Sequence, residues 1–128
     1  MKYLLDTHAF LWFVMDDKRI STHAQSIIKD SKNEIFFSSA SAWELAIKVK
    51  LNRLKIKGNL EPFIVEQLST NNIVPLSITI YHSLYTEQLP QIHKDPFDRM
   101  IIAQSVVENL QLISTDKDIR KYKVATVW

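Results

Sequence analysis

The sequence predicts an α/β fold with a parallel sheet covered on both faces. Two observations carry this. Short apolar runs of strand length alternate with helix-patterned stretches from end to end. The runs are apolar on consecutive residues, as strands buried on both faces are. The 128 residues make one domain's worth, and 46% hydrophobic against 23% charged residues describes a folded chain, not a disordered one. There is no internal repeat, low-complexity tract or linker.

Taken in order, Tyr3-Leu4-Leu5 is a buried strand ending in Asp6-Thr7. His8 to Met15, with Phe10, Leu11, Trp12, Phe13 and Val14, is a first helix packed on the sheet. Asp16-Asp17-Lys18-Arg19 breaks that pattern, and Ser21 N-caps a second helix over Thr22 to Ser31, with Ala24, Ile27 and Ile28 on one face. Glu34-Ile35-Phe36-Phe37 is the second strand and ends in Ser38-Ser39. A helix follows from Ser41 to Leu51, with Trp43, Leu45, Ala46, Ile47 and Val49 as its apolar residues. Lys48, Lys50, Arg53, Lys55 and Lys57 cluster along its end. They read either as a solvated face favoured by the helix dipole or as a rim for a polyanion.

Gly58, the only glycine, marks a turn before a helix from Leu60 to Ser69. Ile73-Val74-Pro75-Leu76 is a short strand that Pro75 terminates or places at an edge. Ser77-Ile78 opens a helix through Tyr81, Leu84 and Tyr85 to Leu89, and Pro90 to Lys94 is a loop. Asp95 caps the next helix, Pro96 fits its first position, and the helix runs to Asn109. Leu110 to Ser114 is a strand ending at Thr115-Asp116, Lys117 to Lys121 is a helical turn, and Val124 to Val127 is a last strand.

Composition narrows the chemistry. With no cysteine, disulfides and thiolate sites are excluded, so any metal takes O or N ligands. A formal charge of +2 is too small to argue nucleic-acid binding by itself. The apolar start meets Asp6 at once, which is no signal peptide, and no run reaches the length of a membrane span. The expectation is a soluble cytoplasmic protein.

Ligands of open α/β sheets bind outside the carboxyl ends of the strands. Asp6 and Asp116 each follow a strand directly. Glu44 is placed in the first turn of the helix after the second strand, and Asp98 in the first turn of the helix feeding the Asp116 strand. All four reach one edge. Each has a plainer reading as well. Ser41-Ala42-Trp43-Glu44 fits a capping box, Asp6 can satisfy backbone amides, Asp116 can cap the Lys117 turn, and Asp95 is assigned to the N-cap. Those readings leave the convergence unexplained, because gathered carboxylates repel unless a cation neutralises them. Oxygen ligands suit Mg²⁺ or Mn²⁺, and such a site suits phosphodiester hydrolysis by activated water.

No covalent nucleophile is evident, since Ser114 and Thr115 have no histidine beside them in the sequence. A glycine-rich phosphate loop is absent. His8, His23, His82 and His93 show no metal-ligand pair. His93, in the loop before Asp95, is placed to touch substrate but reads more simply as solvated. Trp12, Trp43 and Phe97 can stack on bases, although at helical spacing they read first as core.

Four segments, in this order and spacing, resemble the PIN domain family, and within it the VapC-like toxins of bacterial toxin–antitoxin pairs. They are Leu4-Leu5-Asp6-Thr7-His8, Ser41-Ala42-Trp43-Glu44-Leu45-Ala46, Asp95-Pro96-Phe97-Asp98-Arg99 through Ile102-Ala103-Gln104, and Ser114-Thr115-Asp116. The resemblance spans the chain. It implies a PIN-like three-layer α/β/α sandwich around a parallel sheet of about five strands, and a Mg²⁺- or Mn²⁺-dependent endoribonuclease. Asp6, Glu44, Asp98 and Asp116 would be its acidic quartet, serving both catalysis and metal binding. It further implies Thr7, Asp95 and Ser114 as secondary polar contacts, and a small antitoxin and a second copy of the chain as partners. Lys48, Arg53 and His93 are the candidate RNA contacts. The alternatives are a non-catalytic metal-binding domain and a phosphoacceptor signalling module. The latter requires an acidic pair after the first strand, where this chain has Asp6 followed by Thr7-His8.

Overall fold

The structure is a computed structural model describing residues 1–128. Strands β1 (Lys2–Leu5), β2 (Glu34–Ser38), β3 (Ile73–Leu76), β4 (Gln111–Ile113) and β5 (Thr126–Val127) form one sheet in the order β3-β2-β1-β4-β5. Every neighbouring pair is parallel. The chain builds outward from β1 to β3, then crosses back to lay β4 and β5 on the other side. The order reverses between β1 and β4, and a crevice opens at such a switch point. Pro75 lies in edge strand β3, where its missing N–H costs no ladder bond.

Six helices connect the strands: α1 (Thr7–Val14), α2 (Thr22–Lys29), α3 (Ser39–Lys50), α4 (Leu60–Thr70), α5 (Ile80–Tyr85) and α6 (Pro96–Glu108). Alternating β1 residues face opposite cores. Tyr3 and Leu5 join Phe10, Ala24, Ile28, Leu45 and Ile64 from α1 to α4. Leu4 joins Ile101, Ile102, Leu112 and Ile119 beneath α6. Each fully buried leucine or isoleucine contributes about 1.5–3 kcal/mol, so the two cores clamp the short strands from both faces. The predicted three-layer α/β/α sandwich on a five-stranded parallel sheet is the observed architecture. No helix is long and apolar enough to cross a membrane.

Several boundaries differ from the sequence expectation, and capping explains the two that matter. α1 starts at Thr7 because the Asp6 carboxylate accepts from the Ala9 amide. α3 starts at Ser39, two residues early, because Ser38 and not Ser41 is the N-cap, accepting from the Ala40 amide. That overturns the Ser41–Glu44 capping box and moves Glu44 from the first turn to the second. The helix expected from Ser77 to Leu89 begins only at Ile80. There Thr79 and His82 form a capping box, and a 3-10 turn over Thr86–Gln88 continues it. Gly58 sits in its turn at φ +83°, where other residues are strained.

Candidate active site

Asp6 closes β1 at the switch point. Its amide donates to the Ile113 carbonyl of β4 at 3.2 Å, which ties the two strand ends together. One carboxylate oxygen takes the Ala9 amide at 2.6 Å, so the capping role is real. The residue is only 5% exposed. Burial pushes its pKa up, and the Asp116 charge adds to this, while the Ser114 hydroxyl, the Ala9 amide and His8 pull against them. The buried Ser114 side chain also accepts from the Asp116 amide at 3.1 Å, so the group that lowers the Asp6 pKa is itself tied to the second acid.

Glu44 projects from α3 into the same crevice and is buried. Its Oε1 lies 2.7 Å from the Thr7 hydroxyl, which lies 2.9 Å from the Ser41 hydroxyl. Thr7 has one proton and a carboxylate only accepts, so Thr7 donates to Glu44 and Ser41 supplies its own proton to Thr7. Glu44 Oε2 pairs with Lys48 Nζ at 3.0 Å, one helical turn on. The Glu–Lys spacing of four is a legible signal, but the basic-cluster reading passed over it. Lys48 is thus bound to the acidic site, whereas Arg53 stands exposed beyond α3 and forms no ion pair with it.

Asp95 caps α6, accepting from the amides of Phe97 at 2.8 Å and Asp98 at 3.3 Å, with Pro96 at the first helical position. That start turns Asp98 toward the crevice. Burial first, then the Asp95 charge, raise Asp98 to a pKa of about 7. Glu44 and Asp6 push the same way, and His93 opposes them. Asp98 therefore responds to the charges of the other acids. Asp116, after β4, spends one oxygen on the amides of Asp118 at 2.7 Å and Ile119 at 3.2 Å, so it also caps a turn. Burial raises its pKa, but those amides and His93 outweigh it and leave the carboxyl below its usual range.

His93 is not a solvated loop residue. Its Nε2 lies 3.1 Å from Asp98 Oδ2 and 3.3 Å from Asp116 Oδ2, and its side chain is 13% exposed. The local clue was its place two residues before the Asp95 cap, whose amide donates to His93 Nδ1. Trp43 is 62% exposed and meets Phe97 edge-on at 5.3 Å, whereas Trp12 is half-buried between His8, Arg19 and Trp128.

The residues fit a hard divalent cation. Four carboxylates face one crevice against Lys48 and His93, and one of them, Asp98, is raised to about 7 by burial first and then by neighbouring acids. Ligand atoms of His93, Asp98 and Asp116 lie within 4.8 Å of one another. A cation among such groups would offset both the burial and the like charges that raise the Asp98 pKa.

Three solved structures share the fold. VapBC2 from Rickettsia felis, bound to a DNA fragment from its promoter, superposes with a TM-score of 0.75 at 16% identity, over 99% of this chain and 98% of that one. FitAcB from Neisseria gonorrhoeae gives 0.63 at 16%, covering 98% and 96%. A domain of a functionally unknown protein from Methanocaldococcus jannaschii gives 0.56 at 14%, covering 99% and 89%. No curated protein matches by sequence. The PIN domain family model matches residues 3–125, almost the whole chain, and the chain belongs to the PIN domain family.

Proposed function

We propose that this chain is a divalent-cation-dependent endoribonuclease and the toxin of a toxin–antitoxin pair. One observation carries the reading: Asp6, Glu44, Asp98 and Asp116 face one crevice at the β1–β4 switch point, and Asp98 is raised to about 7 by burial and by neighbouring acids. Membership of the PIN family and the likeness to VapC-like toxins support it.

Asp6, Asp98 and Asp116 would hold the cation, with Glu44 beside them. When bound, Mg²⁺ or Mn²⁺ lowers the pKa of water and neutralises charge on the phosphate. The protein's own groups do the rest. The Ala9 amide and the Asp118 and Ile119 amides fix Asp6 and Asp116 in orientation. Thr7 and Lys48 hold the Glu44 carboxylate in place, aimed at the crevice. Lys48 and the exposed Arg53 supply positive charge for the RNA backbone, and exposed Trp43 offers a face on which a base can stack. The water oxygen would attack phosphorus and give up a proton as the bond to the leaving ribose oxygen breaks, and that oxygen would take up a proton in its place.

A small antitoxin in the cytoplasm would restrain the enzyme, as the shared fold with VapBC2 and FitAcB suggests. A second copy of the chain would have a surface to meet on α5, where Ile80, Tyr81 and Leu84 stand 74%, 76% and 67% exposed with no charged residue in the helix. Light scattering on the purified chain reads that mass directly. The nuclease reading is tested by incubating RNA with wild-type and Asp6→Asn proteins in Mg²⁺ or Mn²⁺. Cleavage by the wild type alone is expected, and wild-type cleavage rates for Asp6→Asn would refute the mechanism.

A further inference from the structure

The tautomer of His93 can be read from its neighbours. Its Nδ1 lies 3.1 Å from the Asp95 amide nitrogen, which can only donate. Nδ1 therefore presents a lone pair, and the proton of the neutral ring is on Nε2. That Nε2 faces Asp116 Oδ2 at 3.3 Å and Asp98 Oδ2 at 3.1 Å. A nitrogen that carries a proton has no lone pair for a cation. So although His93, Asp98 and Asp116 lie close enough to share an ion, His93 serves the two carboxylates as a donor and not as a third ligand.

The ring is held in this pose from behind. The His93 amide donates to the Tyr122 hydroxyl at 2.8 Å, and that hydroxyl donates to the Pro90 carbonyl at 3.0 Å. Arg99 donates to the carbonyls of Pro90 and Thr86, each at 2.8 Å. The loop from Pro90 to Asp95 is thus pinned at both ends, and His93 spans the gap between α6 and the segment after β4. No other side chain makes polar contact with both Asp98 and Asp116. Asp98 Oδ1 accepts no hydrogen bond from the protein and stays free.

We propose that His93 is a positioning residue for the cation site: its Nε2–H braces Asp98 and Asp116 so that their remaining lone pairs converge on one divalent ion. This rests on the reading of the acids as a metal site. Outer donors that orient ligands typically contribute about 10–100-fold to metal affinity. The test is calorimetric titration of the full chain with MnCl₂, using wild type, His93→Ala, His93→Asn and His93→Gln. The Gln side-chain nitrogen reaches the place of Nε2 and carries a donor, while that of Asn stops short. Affinity is expected to fall by about 10–100-fold in His93→Ala and His93→Asn and to recover in His93→Gln. Melting curves identify any variant that does not fold, and the Asn–Gln pair decides the matter if Ala is one of them. Equal or tighter binding by the Ala and Asn variants would overturn the brace alone, as would a Gln variant no better than Asn. A wild type that binds no Mn²⁺ would overturn the metal reading and the brace together.

Discussion

Helix α6 carries buried polar groups in both halves, and the two sets are built on opposite rules. In the C-terminal half, Gln104 is wholly buried, as is its neighbour His82 from α5. The Ser38 hydroxyl donates to the Gln104 carbonyl oxygen, and the Gln104 amide nitrogen reaches the Ser77 carbonyl and His82 Nδ1, each at 3.4 Å. The Thr79 amide also donates to His82 Nδ1, at 3.0 Å, so the ring proton is on Nε2 and is given to Glu108 at 2.8 Å. Every donor has an acceptor. At the N-terminal end, Asp98 shares a crevice with Asp6, Glu44 and Asp116, and burial followed by the charges of Asp95, Glu44 and Asp6 raises its pKa. Burial of polarity does not distinguish the two sets; the balance of charge does. A network that closes on itself holds the fold, and gathered acids left with unbalanced charge are what the proposed cation site rests on.

The widest separation between the two should come from substitution. On the proposed function, Asp98→Asn should lower RNA cleavage more than the roughly 100-fold typical of losing a second-layer contact, because it would remove a ligand outright. Gln104→Leu should leave the rate per folded molecule unchanged. In stability the order reverses. Gln104→Leu strands the Ser38 hydroxyl and should cost about 1–3 kcal/mol in urea unfolding. Equal losses of activity in the two variants would erase the distinction.

A pH dependence sharpens it. Folding raises the Asp98 pKa from 3.8 to about 7, so between those values the folded protein holds a proton that the unfolded chain has lost. Without metal, this group's contribution to stability falls as pH rises from about 4 to about 7, and raised Asp6 acts in the same sense. Asp116, held below its usual range, acts oppositely and only at lower pH. Thermal melts in EDTA across that range should show the decline in wild type and a flatter profile in Asp98→Asn. The smallest effect is at the helix start. Asp95→Ala should cost about 1 kcal/mol for the lost cap, since Asp95 accepts from two amides and faces the cation site only through its charge. Normal stability with lost activity would reassign Asp95 to the chemistry.

Strand alternation and the rule about carboxyl ends are enough to bring Asp6, Glu44, Asp98 and Asp116 to one edge from the sequence alone. The cap at Asp95 followed from the proline after it. What the sequence hid were choices between equivalent partners and contacts across the chain. Ser38, Ser39 and Ser41 all offer hydroxyls, and the ladder of β2 ending at Ser38 decided which one caps α3. His93 looked solvated because its partners Asp116 and Tyr122 lie more than twenty residues away, on the far side of β4. The His82–Gln104 network was illegible for the same reason, although each residue falls within a helical pattern.

The most direct test of the central claim is the melting temperature at pH 7.5 of wild type and Asp98→Asn, each in EDTA and in MnCl₂. Wild type should be the less stable protein in EDTA, by a few degrees at about 4 °C per kcal/mol for a domain of this size, and Mn²⁺ should raise its melting point while leaving Asp98→Asn nearly unmoved. A wild type that is at least as stable as the variant in EDTA and indifferent to Mn²⁺ would contradict the account.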